Sequence, residues 1–341
     1  MYNTEAVPVI FTSDDYFVPY MSAAIQSILE NSSPDRTYIV FVLHQNITPE
    51  NAGLLKMQIS AYQNFSIEFV DVTRYIKNYD FWIGAHKKIA KETYFRLLIP
   101  YIFREFKRAV YLDSDMICCT DIAELYDMEI GDNMLISTRD VCGAGGYYNK
   151  KNKKRNKRYS DIGIKNHDDY FIAGLLVFNI EKFRQHISLR DLLNFAVSRK
   201  WRWHDQDILN VVCENKVFFV PIEWDYYTIG GNSEFLPECW MKQYLSAQKN
   251  IKIIHFITTH KPWQNYHMVN HFEFFWKYAA RTPFIRTIIE RMTNAGYIQS
   301  EDFGNTILNN IKHRQGIGLK LIIKALFVWF IRDRKKSEKF K

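Results

Sequence analysis

Cysteine is scarce in this chain and poorly placed for cross-linking. The five thiols among 341 residues are odd in number, include the adjacent pair Cys118-Cys119 and show no C-x-x-C spacing. That pattern suits reduced thiols in a cytoplasm better than a disulfide framework. Also missing from Met1 to Ile10 are the basic and apolar regions of a signal peptide, and no uninterrupted apolar run able to span a bilayer follows. A Golgi-type anchored enzyme is therefore not expected. No stretch rich in Pro, Gly or Ser marks an interdomain linker, and there is no internal repeat. Positive charge is in excess, with a formal net charge of +8, but it is not spread over the chain. It gathers at Lys150–Arg158 and after Arg332, which suggests an anionic partner and argues against a nucleic-acid groove across the fold.

What the chain has in plenty is apolar surface to bury: 47% of residues are hydrophobic and 16% aromatic, ample for a substantial core. Val7–Phe11 reads as a strand, followed by the turn-like Thr12-Ser13-Asp14-Asp15 and a helix from Phe17 to about Glu30. Tyr38–Leu43 is the next strand. Thr48-Pro49-Glu50 supplies an N-cap and a proline at the first helical position for a helix running toward Tyr62, and Ser66–Val70 is strand again. A helix near Glu92–Phe103 precedes the strand Ala109–Leu112. Leu135–Ser137, Gly174–Asn179, Val217–Val220 and Ile251–Phe256 follow as strands, with helices from Glu181 to about Ser198 and around Asp207–Val212. This alternation predicts an α/β fold with a Rossmann-like, mostly parallel central sheet flanked by helices, and ligands at the carboxyl ends of its strands. Beyond about Phe272 the chain reads as a helical extension.

At one such end stands Asp113-Ser114-Asp115, after the apolar run Ala109-Val110-Tyr111-Leu112. Both carboxylates can leave the pleat there and face one hard cation, and oxygen ligands of this kind suit Mg²⁺ or Mn²⁺. Solvated acids at a strand end are the plainer alternative, because so short a motif recurs by chance. The rest of the chain reverses those odds. In order stand Phe11-Thr12-Ser13-Asp14-Asp15-Tyr16, Tyr94-Phe95-Arg96-Leu97, Val110-Tyr111-Leu112-Asp113-Ser114-Asp115, Ala173-Gly174-Leu175-Leu176-Val177-Phe178-Asn179, Asp205-Gln206-Asp207-Ile208-Leu209-Asn210, and His255 followed by Lys261-Pro262-Trp263. Together, over residues 7 to 265, they resemble the family-8 glycosyltransferases, retaining enzymes of the GT-A fold that include bacterial lipopolysaccharide galactosyl- and glucosyltransferases.

The resemblance implies roles residue by residue. Asp113, Asp115 and His255 match the metal ligands, and an imidazole beside two carboxylates favours Mn²⁺ over Mg²⁺. Thr12, Asp14, Tyr16, Arg96, Ser114 and Lys261 match the donor-binding positions, with Asp14 at the uracil ring, Arg96 near sugar and phosphates and Lys261 facing the leaving diphosphate. Asp14 is equally suited to cap the following helix. Gln206 matches the residue at the anomeric centre, Asp205 flanks it, and Asp140 matches an acid that holds a sugar hydroxyl; with Arg96 these form the implied catalytic set. An amide is a weak nucleophile and Asp205 and Asp207 would be better ones, so front-face substitution is the favoured route to retention. The chain departs from the family at Ile172, where Asn or Ser is common, and at Ile257-Thr258-Thr259-His260, which lacks the usual glycine.

The expected protein is thus a cytoplasmic, metal-dependent enzyme moving a hexose, glucose or galactose, from a UDP-sugar to a hydroxyl of a cell-surface glycan or lipopolysaccharide precursor. Residues 1–270 would form the catalytic domain and 271–341 a helical region. Its segment Ile317–Ile331, with Lys320 and Lys324 on one face and a basic tail behind, is expected to lie on the anionic inner face of a membrane. Two competing readings are a nucleotidyltransferase, which needs a glycine-rich phosphate loop that Thr12–Tyr16 does not supply, and a UDP-sugar-binding protein without turnover. The block Lys150–Arg158 is expected to be a solvated loop near the site.

Overall fold

Every residue of β1 (Val7–Thr12) is buried, as a strand covered on both faces must be. The chain then enters α1 (Val18–Asn31), where the Asp14 carboxylate accepts from the Phe17 N–H at 2.7 Å. β2 (Tyr38–His44) is again almost wholly buried, and α2 (Pro49–Ile59) opens as expected, with Thr48 accepting from Asn51 N and proline at the start. In β3 (Phe65–Asp71) burial alternates at its start, Phe65 and Ile67 in, Ser66 and Glu68 out, because β3 is an edge strand. The computed structural model describes residues 2–84, 91–151, 157, 159–229, 233–257, 259–264 and 266–297; the segment Ile317–Ile331 with its basic tail, much of Lys150–Arg158, and Thr258 lie outside them.

A 3₁₀ stretch, Lys91–Leu98, and one α-helical turn, Ile99–Ile102, replace the single helix expected there, and lead into β4 (Arg108–Leu112). The short β5 (Met116–Cys118) and β6 (Leu135–Ser137) follow, then α3 (Val141–Tyr148) and β7 (Leu175–Asn179). The helix expected over Glu181–Ser198 is two: α4 (Ile180–His186) ends where Ile187 turns extended, and Ser188 caps α5 (Leu189–Val197) by accepting from Asp191 N. α6 (His204–Val212), β8 (Val217–Phe219), α7 (Glu238–Ala247), β9 (Ile253–His255), α8 (Phe272–Ala279) and α9 (Ile285–Asn294) complete the described elements used below.

The sheet runs in the order β3-β2-β1-β4-β7-β6-β8, parallel except at β7, which lies antiparallel between β4 and β6. Alternate residues feed two cores. Ile10, Tyr111, Leu176 and Phe178 pack on one face with Tyr94 and Phe95, and Val9, Phe11, Val110, Leu112, Leu175 and Val177 pack on the other with α1. β5 and β9 form a separate antiparallel pair with Met116 opposite His255. A third cluster draws α8 and α9 onto α1, β5 and β9 through Tyr20, Ile117, Ile254, Trp263, Phe275 and Ile288. Among the described residues no helix is long and apolar enough to cross a membrane.

Candidate active site

The carboxyl end of β4 and the β5–β9 pair meet at one point, and it is here that the chain's acids converge. Asp113 N donates to Gly174 O at 2.8 Å and Phe256 N to Asp115 O at 3.0 Å, so both acids are tied by backbone to neighbouring elements. One ligand atom each from Asp113, Asp115 and His255 lies within 4.8 Å of the others. The His255 Nε2 stands 3.3 Å from Asp115 Oδ1 and 3.7 Å from Asp113 Oδ2, while its Nδ1 is 2.9 Å from Asp225 Oδ1. Burial opposes a charged imidazole, yet Asp225 and Asp115 push the His255 pKa up to about 10. Burial likewise opposes the Asp115 carboxylate, but Lys261, 2.7 Å away, and His255 hold it well below the usual range. Gly174 closes the third side: a Cβ there would sit 2.3 Å from His255 Cε1, so only glycine lets backbone pass this close to the imidazole. Two carboxylates and an Nε2 whose partner nitrogen is already bonded fit a small divalent cation in donor type and spacing.

Beside this cluster lies a cavity of about 270 Å³ whose lining includes Arg96, Asp113, Asp140, Ile172, Gln206 and His255. Arg96 comes from the 3₁₀ stretch and is buried. Its Nη2 reaches Asp113 Oδ1 at 2.8 Å, its Nε reaches Asp205 Oδ2 at 2.9 Å, its Nη1 donates to Ala173 O, and its guanidinium lies over the Tyr111 ring at 4.4 Å. Burial disfavours the Arg96 charge, but the two carboxylates raise its pKa further. Asp205 also accepts from the Thr93 hydroxyl, and burial lifts its own pKa to about 6. Neither Asp205 nor Asp207 has a free oxygen: Asp207 accepts from Tyr170 OH at 2.6 Å and Trp203 N at 2.9 Å. Gln206 Oε1 accepts from Ala173 N at 3.0 Å, and Asn210, one turn on, bonds both the N–H and the C=O of Phe171. The polar face of α6 is therefore stitched to the segment leading into β7.

Asp140 holds the far wall, its Oδ1 accepting from Gly143 N at 2.8 Å and Tyr227 OH at 3.0 Å. Thr12 and Ser114 are tied into the fold: the Ser114 hydroxyl donates to Thr12 O at 3.0 Å, and Thr12 Oγ1 lies 3.2 Å from Tyr111 OH. Asp14 caps the entry to α1, and Tyr16 is 61% exposed with the Arg291 guanidinium 4.1 Å over its ring. Lys261 Nζ, besides Asp115, donates to Phe256 O at 2.5 Å. Sequence reasoning missed Asp225 and Tyr227. Their only signal is the spacing of an acid and a tyrosine two apart in a segment with no motif of its own.

A family model described as glycosyl transferase family 8 matches residues 8–267. The chain belongs to glycosyl transferase family 8. A putative glycosyltransferase of Haemophilus influenzae is 27% identical over 224 residues, 64% of this chain and 62% of that protein. The lipopolysaccharide 1,2-glucosyltransferase of Escherichia coli is 24% identical over 181 residues, 52% of this chain and 50% of its own length. Among solved structures, the WbbM bifunctional glycosyltransferase in its apo form superposes with a TM-score of 0.76 at 27% identity, covering 86% of this chain and 52% of that one. The galactosyltransferase LgtC, solved with donor and acceptor sugar analogs, superposes with a TM-score of 0.66 over 81% of this chain and 96% of its own, and at 20% identity the likeness is one of fold. The family-8 fold expected from the motifs is the fold observed. The chain spans 62% of the Haemophilus protein and 52% of WbbM, so those proteins carry further sequence beyond what is matched.

Proposed function

We propose that this family-8 glycosyltransferase is a retaining, Mn²⁺-dependent enzyme that moves a hexose from a UDP-sugar to a hydroxyl of a cell-surface glycan or lipopolysaccharide precursor. The observation that carries the reading is the convergence of Asp113, Asp115 and His255 on one point beside a cavity walled by Arg96, Asp140 and Gln206. Asp113, Asp115 and His255 would hold the cation, which when bound supplies charge that stabilises a departing diphosphate. Asp14 and Tyr16 take the uracil end. Lys261, already at the mouth of the cluster, offers a point cation to the phosphates.

Arg96 is fixed by two carboxylates and a carbonyl, so it meets the donor without reorganising. Asp140, oriented by Gly143 N and Tyr227 OH, takes a sugar hydroxyl. The satisfied oxygens of Asp205 and Asp207 speak against either as nucleophile, and Gln206 presents an amide whose oxygen is engaged. Those facts favour front-face substitution: the acceptor oxygen forms its bond to the anomeric carbon on the face the diphosphate leaves, and the acceptor proton passes to a departing phosphate oxygen. Asp205 then acts by holding Arg96 in place.

The test is UDP release from a panel of UDP-sugars with and without Mn²⁺ and no acceptor. Hydrolysis of one UDP-hexose that stops with EDTA supports the reading. UDP binding with no release from any sugar would favour a binding protein without turnover. The basic tail after Arg332 suggests peripheral attachment to an anionic membrane face in the cytoplasm, at about 1 kcal/mol per cation near such a surface. Deleting the residues after Gly316 should abolish binding to anionic liposomes while donor hydrolysis persists; retained binding rejects the attachment.

A further inference from the structure

The chain between β8 and α7 brings two buried side chains to the site from one short segment. After a 3₁₀ turn over Ile222–Asp225 the backbone runs extended beside β9: Tyr226 N donates to Ile253 O at 2.9 Å, His255 N donates to Tyr226 O at 2.8 Å, and Tyr226 pairs in parallel with Ile254. Along extended backbone, neighbours in sequence face opposite ways and alternate positions share a side. Tyr226, buried as well, turns away from the site and stacks on Tyr244, while Asp225 and Tyr227 both turn to the site.

Each grips a different functional side chain. Asp225 is 1% exposed; its Oδ1 is bonded to His255 Nδ1 at 2.9 Å, and its Oδ2 is buried with no hydrogen-bond partner among the described residues. A carboxylate kept in that half-satisfied state serves something other than stability. With Nδ1 committed to Asp225, the ring's other nitrogen is the one left facing Asp113 and Asp115. Tyr227 accepts from Cys142 N at 3.0 Å and donates to Asp140 Oδ1 at 3.0 Å, and its ring meets the His255 ring edge-on at 6.5 Å. Burial and the Asp140 carboxylate raise the phenol well above 10, so it remains a donor.

We propose that Asp225 and Tyr227 are paired positioning residues: Asp225 sets the rotation and tautomer of the His255 imidazole, Tyr227 sets the Asp140 carboxylate, and the single register of their segment against β9 aligns the cation side of the site with the sugar side. The inference rests on the donor-site reading above. A one-residue slip of that register exchanges Tyr226 for both grips at once. The two grips are separable by mutation because they act on different ligands.

The experiment measures Mn²⁺ affinity by electron paramagnetic resonance of free Mn²⁺, UDP and UDP-sugar affinities by calorimetry, and melting temperature, in wild type and variants. Asp225→Leu is expected to lower Mn²⁺ affinity about 10- to 100-fold with the melting temperature retained, and Asp225→Asn, which keeps an acceptor for Nδ1, to recover most of it. Tyr227→Phe keeps the ring against His255, so Mn²⁺ and UDP affinities should hold while the preference for UDP-sugar over UDP falls about tenfold. Unaltered Mn²⁺ affinity in both Asp225 variants, losses that merely track melting temperature, or a Tyr227→Phe variant with wild-type sugar preference overturns the inference. Absent Mn²⁺ binding in wild type, or binding that survives Asp113→Asn, instead overturns the donor-site reading itself.

Discussion

Two Asp-x-Asp triplets stand in this chain, Asp113-Ser114-Asp115 and Asp205-Gln206-Asp207, and the fold gives them opposite fates. The first sits in the turn between β4 and β5, where both carboxylates converge on His255 while Ser114 turns away to Thr12. The second lies in the first turn of α6, where residues two apart diverge by roughly 200° around the helix axis. Asp205 goes to Arg96 and Thr93, Asp207 to Tyr170 and the Trp203 N–H, and Gln206 to Ala173 N. Identical spacing gathers two carboxylates about one imidazole on one backbone and makes a set of structural ties on the other. A carboxylate motif acquires its chemistry from the element that carries it.

Mutations sharpen that contrast. Asp205→Ala strands the buried Arg96 beside a single carboxylate, and should cost about 3 kcal/mol of stability, read as a lowered urea midpoint. Asp207→Ala removes the acceptor that Tyr170 OH and Trp203 N–H share and should cost about 1–3 kcal/mol by the same measurement. Asp113→Asn and Asp115→Asn each keep an acceptor for Arg96 or Lys261, so they should lower the midpoint less than Asp205→Ala, and should cut Mn²⁺-dependent UDP release by a factor on the order of 10² or more. Equal stability losses from both triplets, or turnover that survives EDTA and both substitutions, would break the comparison.

The pH dependence of cation uptake tests the first triplet more finely. The His255 pKa stands near 10 in the folded protein against 6.5 for an ordinary imidazole: burial opposes the charge, and Asp225 and Asp115 more than offset it. The contribution of charged His255 to stability is therefore fully present below about pH 6.5 and is lost as pH rises through about 10. A cation needs the neutral ring, so Mn²⁺ affinity should climb by up to about tenfold per pH unit toward 10. A flat affinity profile from pH 7 to 9 contradicts the assignment of His255 as a ligand. The smallest effect is expected at Ile172, 1% exposed in the cavity wall. Ile172→Asn should widen or switch the choice of UDP-sugar and leave UDP affinity unaltered, as a hydrolysis screen of both proteins would reveal.

How much of this could be read in advance varies with regularity. β1, β2 and β4 announce themselves as apolar runs because both faces are covered, and Thr48-Pro49 marks α2 by its own capping chemistry. β5 is three residues long, too short for any period, yet it seats His255 opposite Met116. α6 begins at His204, earlier than the Asp207 start expected, because its first turn is polar and looks like loop while its partners lie in distant segments. The antiparallel β7 is likewise invisible to strand–helix alternation, which suggests parallel neighbours throughout. The residues carrying family motifs were visible in advance as candidates, and Arg96, Asp113, Asp140, Asp205, Gln206 and His255 among them line one cavity. Asp225 and Tyr227 were not, since what they do depends on backbone register against β9, a property of tertiary pairing.

Arg291, on the last described helix, donates to the Tyr16 carbonyl at 2.5 Å across 275 positions of sequence. The same loop, which follows β1, is also held by Asp15, whose carboxylate accepts from Thr48 N at 2.7 Å and Asn51 Nδ2 at 2.9 Å. Its Asp15 end is thus fixed by the neighbouring α2, while its Tyr16 end waits on α9, far along the chain. Closing so long a loop carries an entropic cost that the nearer contacts do not, so the Tyr16 end is the one expected to loosen first when the fold is stressed.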